Sequence, residues 1–141
     1  MALTQKQARE CIQRGFAKAQ ALGFKVAIAI VDDAGHLVAC ERMDGALWVT
    51  PEIARAKANA VAAFRATTLD LEERFGKGRQ LFASNVATLG DYAFVFGRGA
   101  VPIVEGGQIV GAVGVSGAVP ADNDHTIAAE AAGHPELPPG H

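Results

Sequence analysis

Two short turns, each lying between two strand-like runs, limit what this chain can fold into more than any other feature. Val26–Val31 is continuously apolar and rich in β-branched residues, and Asp32-Asp33-Ala34-Gly35 follows it at once. Beyond that turn, Leu37, Ala39, Glu41 and Met43 alternate with His36, Val38, Cys40 and Arg42, as on a second strand. A second pair, Ala100–Val104 and Gln108–Ser116, is joined by Glu105-Gly106-Gly107. Connections this short join antiparallel neighbours, whereas parallel strands need a crossover of about a dozen residues or more. The chain is therefore expected to be α/β of the α+β kind, an antiparallel sheet flanked by helices, and not a Rossmann domain. The unbroken apolar run at 26–31 predicts a strand covered on both faces.

The helices have their own signals. Thr4 with Gln7 forms a capping box, and Ala8, Cys11, Ile12, Phe16, Ala19 and Leu22 follow at helical spacing up to Gly23. Thr50-Pro51-Glu52 predicts a helix start with Thr50 as cap, Pro51 in the first turn and Glu52 at the positive dipole end. The alanines at 54, 56, 58, 60, 62 and 63 predict close packing of that helix against the sheet or a partner helix. A short amphipathic helix is expected near Leu69–Phe75, a loop at Gly76–Arg79 and a helical turn at Leu81–Val86. Tyr92–Phe96 reads as a further strand. Asp122, Asn123 or Asp124 is expected to cap a last helix reaching Ala132.

At 141 residues, half of them apolar, the chain is sized for one domain with a substantial core. The net charge of −2 and 13 scattered basic residues give phosphates nothing to follow, so no nucleic-acid partner is expected. No apolar run approaches the roughly 20 residues that cross a bilayer. The first ten residues lack the charged-then-apolar pattern of a signal peptide. Cys11 and Cys40 form neither a CxxC pair nor a disulfide framework. A cytoplasmic, reduced, single-domain protein spanning 1–141 is the expectation, with a loose tail from about residue 134.

Gln108–Gly117 is the most unusual segment, because glycines at 111, 114 and 117 weaken a strand unless something needs their lack of a side chain. Either another backbone approaches closely, the alanine-rich helix for instance, or Gly114 to Gly117 present N–H groups to a ligand. The spacing is neither GxGxxG nor a P-loop.

These residues resemble a known family. Val31–Val38 is similar to its VDxxGxLV hairpin, Arg42–Ala46 to its RMDGA stretch and Ala56–Ala58 to its xKA helix. Pro102–Val104 with Gly111–Gly117 and Asp124 is similar to its PI…GAIGVSG…D run. The family is the haem-binding HbpS-like/GlcG-like family, related to the C-terminal domain of PduO-type corrinoid proteins. The resemblance implies a profilin-like antiparallel sheet and assembly into homo-oligomers; Gly114, Ser116, Gly117 and Asp124 are the residues expected to hold a small-molecule ligand. It also implies haem or a related tetrapyrrole as cofactor. The first helix contains no histidine, whereas a PduO-type relative is thought to use an N-terminal histidine as axial ligand.

Among the histidines, His36 reads as a solvent-edge residue, His125 lies in the last helix, and His134 and His141 belong to the tail. No HxxxH or HExxH spacing occurs, so no metal site is expected. Ser116 does not fit GxSxG. The enzymatic alternative, a tautomerase, hydrolase or decarboxylase acting on an organic acid, rests on Arg42, Asp44, Glu52 and Lys57 near strand ends and a helix start. Arg can hold a carboxylate and a perturbed Lys or carboxylate can move a proton. Against this, Glu52 reads equally as a dipole partner, Lys57 as a solvated residue and Asp124 as a helix cap. A third reading is an oligomeric accessory protein whose glycines and alanines make subunit contacts.

Overall fold

In the computed structural model of the chain, residues 2–133 are described. The elements run α1 (Gln5–Leu22), β1 (Ala27–Asp32), β2 (Leu37–Arg42), α2 (Thr50–Phe64), α3 (Thr68–Gly76), α4 (Gln80–Val86), β3 (Ala100–Glu105), β4 (Gln108–Ser116) and α5 (Asp122–Ala131). The four strands form one sheet in the order β2-β1-β4-β3, every pair antiparallel. The tail expected to be loose from about residue 134 lies outside the described residues.

β1 is buried from Ala27 to Val31 because helices cover both faces, as its apolar run requires. On one side Ile28, Ile30, Val113 and Val115 pack with Ala8 and Ile12 of α1 and Ile127 of α5. On the other, Val31, Ala100 and Ala112 meet Ala58, Val61 and Ala62 of α2. A third cluster, Ala60, Leu71 and Phe75 with Phe64, Phe94 and Phe96, lies beyond α2 and holds α3 against it.

The helix signals hold in part. Thr4 and Gln7 make the full capping box, Gln7 N donating to Thr4 Oγ1 at 3.1 Å and Thr4 N to Gln7 Oε1 at 2.9 Å. For α2 the cap position is Val49, and Thr50 instead donates its hydroxyl back to the Leu47 carbonyl at 2.7 Å. None of Asp122, Asn123 or Asp124 caps α5, whose cap position is Ala121. Asp122 is drawn to the Arg98 guanidinium and Asp124 to Lys57, and that competition removes both carboxylates from capping.

The strand expected at Tyr92–Phe96 is absent. The segment has no regular secondary structure and lies over α2, where Val95 N donates to the Ala56 carbonyl at 3.3 Å. Its period-two pattern comes from aromatic packing: the Phe64 ring sits 5.7 Å from those of both Phe94 and Phe96, and Phe75 sits 4.9 Å from Phe96. One-sided burial produces alternation whether or not a ladder exists.

The glycines of β4 are seams of close approach. A Cβ on Gly114 would stand 2.0 Å from the Ala54 carbonyl oxygen of α2, and one on Gly111 would stand 2.4 Å from the Val31 carbonyl oxygen. At Gly117, where φ is +127°, it would meet the Lys25 carbonyl at 2.4 Å. Each glycine admits a different backbone segment.

Candidate functional site

The surface feature best suited to a ligand is a groove with three walls. The first wall is the β1–β2 turn. Asp32 organises it, its Oδ1 accepting from Ala34 N and His36 N, both at 2.9 Å. Gly35 adopts φ +83° there, which suits a residue without Cβ. The second wall is the outer face of α2, where Glu52, Arg55 and Asn59 recur at helical spacing. The third is the segment 91–94, folded over that helix.

Together they enclose a cleft of about 540 Å³ lined by His36, Glu52, Arg55, Asn59, Asp91 and Tyr92 among others. A second cleft of about 300 Å³ adjoins it and ends on Ala62, Ala63 and Phe94. Ala34, Gly35, Asn59 and Tyr92 line both, so the two form one groove, with Glu52, Arg55 and Asp91 at one end and Asp33 and Phe94 at the other.

Two side chains in this groove have unspent bonding capacity. His36 Nδ1 lies 3.4 Å from Asp32 Oδ2 while its side chain is 81% exposed. The carboxylate lies within ion-pair range of one ring nitrogen, and the exposed imidazole stands at the groove mouth. Asn59 is buried, its Nδ2 donates to the Ala93 carbonyl at 3.4 Å, and its covered Oδ1 has no partner among the described residues. Near the groove, burial pushes the Cys40 thiol up, with Arg55 pulling it down less strongly, so the group stays protonated and is a poor nucleophile.

The candidate residues from the sequence fall in separate places. Of Arg42, Asp44, Glu52 and Lys57, Glu52 alone lines this groove; Arg42 and Asp44 are exposed around the end of β2. Lys57 is not solvated. It is buried, and its Nζ donates to the Val115 carbonyl at 3.0 Å and to Asp124 Oδ2 at 3.3 Å. Asp124 Oδ1 in turn accepts from Ala118 N at 2.9 Å. Burial pushes the Asp124 carboxyl above its ordinary range, opposed by the Lys57 ammonium and by the Ala118 and Gly117 N–H groups. Ser116, also buried, and Gly117 lie beside this node, while Gly114 is covered by the α2 backbone. This end of β4 is an internal tie between α2, the sheet and the start of α5.

Sequence reasoning missed His36 as a lining residue, along with Arg55, Asn59, Asp91 and Tyr92. The signal for the helix-borne part was present: 52, 55 and 59 form a polar stripe on an alanine-rich helix. Nothing local marked 91–94 as a wall. Among the described residues no group of three or more His, Cys, Asp or Glu is placed to hold a metal ion, and no helix is long and apolar enough to cross a membrane.

An antiparallel four-stranded sheet with helices on both faces, closed by glycine seams and carrying a lateral groove, defines an α+β domain of a recognised kind. Residues 3–133 match the family model described as haem degrading protein HbpS-like, and the chain belongs to that family. It is 39% identical over 116 residues to protein GlcG of Escherichia coli K12, covering 81% of each chain. Its fold matches a double mutant of HbpS from Streptomyces reticuli with a TM-score of 0.83 at 26% identity, covering 94% of this chain and 86% of the other. A structure of PduOC in complex with haem is equally similar, with a TM-score of 0.83, 26% identity and 95% of each chain covered.

Proposed function

We propose that the protein is a small-molecule-binding member of the HbpS-like family whose ligand occupies the groove between the 33–36 turn, α2 and 91–94, and that a haem-type tetrapyrrole is the ligand. The observation that carries this reading is the His36–Asp32 pair at the groove. A haem iron needs an axial donor. His36 fits that need, since its exposed imidazole stands at the groove with Asp32 Oδ2 3.4 Å from Nδ1. Arg55 is the cation placed to hold a propionate. Tyr92 and Phe94 supply aromatic surface along the groove. When bound, haem would supply redox chemistry at iron; the chain's own residues bind and orient it.

The relatives support the ligand class. Their family model is described as haem degrading, and one structural relative was captured with haem. Haemin added to the purified protein is expected to give a saturable Soret shift at one equivalent per binding site. His36→Ala should change the position of that band and weaken binding by about tenfold or more, because an axial bond is lost. An unchanged spectrum and affinity in the variant would exclude His36 as the ligand.

The enzymatic reading has less behind it. Lys57 is spent on a buried pair, and Arg42 and Asp44 do not line the groove. Self-association of the kind the resemblance implies is retained as part of the proposal, and sedimentation velocity would reveal a monomer if it is wrong.

A further inference from the structure

We propose that α4 and the turns after it pair two copies of this chain antiparallel about a twofold axis, Arg79 of each copy meeting Asp91 of the other. This assignment rests on the self-association proposed above and names the surface that makes it.

α4 is the element that packing within one chain explains least. It has seven residues, buries none of them, and is far too short to hold its shape in water alone. Ala83 packs against the Phe75 cluster and fixes which face turns inward. Leu81 and Asn85, two residues to either side, lie about 160° around the helix from it and point away from the domain. Leu81 is 76% exposed, and Leu89, in the turn beyond, is 71% exposed. Thr88 N donates to the Asn85 carbonyl at 3.2 Å and Leu89 N to the Val86 carbonyl at 3.3 Å, so the winding continues past α4. Large apolar side chains grouped on one exposed segment mark an interaction surface.

The charges indicate what covers it. Arg79 opens the segment and Asp91 closes it, and both are exposed. Among the described residues neither lies within ion-pair distance of an opposite charge. The Arg79 guanidinium stands 4.3 Å from the centre of the Phe82 ring, which holds it beside the apolar surface. Counted from Asn85, Leu81 and Leu89 are each four residues away, and Arg79 and Asp91 each six. A surface with opposite charges at its two ends and apolar groups between them is complementary to itself turned end for end. With the axis at Asn85, Leu81 of one copy meets Leu89 of the other, and Arg79 meets Asp91. The two Asn85 amides can donate to and accept from one another there. Asp91 also lines the groove, so the pairing sets a guanidinium of each copy at the rim of the other's groove.

The test is sedimentation velocity of the full chain from about 5 to 200 µM. Wild type is expected to associate. Leu81→Glu should weaken association about tenfold or more, with an unchanged far-UV circular dichroism spectrum because that side chain is exposed within one copy. Arg79→Asp and Asp91→Arg, each alone, set like charges against each other twice per pair and should weaken it as much. Mixed one to one, these two variants bring opposite charges together at both contacts and should associate as tightly as wild type. A folding defect in either variant would give no such rescue. Association that any of the three variants leaves unchanged, or charge variants that stay apart when mixed, overturns this interface and leaves self-association through another surface standing. A wild type that is monomeric throughout overturns both.

Discussion

Lys57→Met is expected to cost about 3–5 kcal/mol of stability at neutral pH, the range for stripping one partner from a buried ion pair. The variant leaves Asp124 buried without its counter-charge and the Val115 carbonyl without the Lys57 donor. The loss should depend on pH with a defined sign. Burial already raises the folded-state pKa of Asp124 above its unfolded value, so the native state holds that proton more tightly. Stability from this group is thus fully present below the unfolded pKa and declines as pH rises through the folded one. Without Lys57 the folded pKa rises further. The difference between wild type and Lys57→Met should therefore shrink on acidification, where the carboxyl is neutral in both. Asp124→Asn added to Lys57→Met should restore part of the loss, because a neutral amide still accepts from Ala118 N. Urea denaturation across pH measures all three. A Lys57→Met variant as stable as wild type at neutral pH would mean that the pair is not buried as described.

The second large effect is expected at Gly114. Gly114→Ala should destabilise by about 3 kcal/mol or more, at or beyond the usual upper end for overpacking. The reason lies in what the new methyl would meet: the Ala54 carbonyl oxygen at 2.0 Å and Ala58 N at 3.0 Å. Both are helix backbone, so relief requires α2 to move off the sheet rather than a side chain to turn. Gly76→Ala is the matched control. A Cβ there has no neighbour within 4 Å, and alanine in place of glycine in a helix is neutral or stabilising by up to about 1 kcal/mol. Equal melting temperatures for the two variants would refute the seam between β4 and α2.

Much of the architecture is written in local chemistry. The hairpins follow from turns too short for any crossover, and α1 from a cap whose two partners are three residues apart. The alanines of α2 and the glycines of β4 signal close contacts, and in the structure Gly114 is the glycine that meets α2, at Ala54 and Ala58. Other features depend on residues far apart in sequence. Lys57 sits between alanines on a helix that also bears Glu52 and Arg55, so nothing nearby separates a buried lysine from a solvated one. Its partner is 67 residues away. Asp124 looks like a cap because its position permits one; Lys57 and Ala118 outbid the helix end. At 92–96 the alternation of Tyr92, Phe94 and Phe96 reports burial on one side, which a strand and a strap over a helix share.

The groove was legible only by halves. Its helical wall is a periodic polar stripe, and its turn is the hairpin itself. The wall at 91–94 arises from aromatic packing on Phe64, which no spacing rule encodes. The glycine-rich end of β4, with Ser116, Gly117 and Asp124, carries the most distinctive motif yet holds the sheet to α2 and α5. A family-marking motif can thus record how the domain closes, while the proposed ligand groove is built from a plainer stretch.

Where the ligand sits can be mapped directly by following amide shifts of the labelled protein during titration with zinc protoporphyrin IX, a diamagnetic stand-in for haem. Binding in the groove predicts the largest shifts at residues 33–36, 55–59 and 91–94, with the segment 115–118 little changed. Shifts centred on Ser116, Gly117 and Asp124, with the groove residues unmoved, would contradict it.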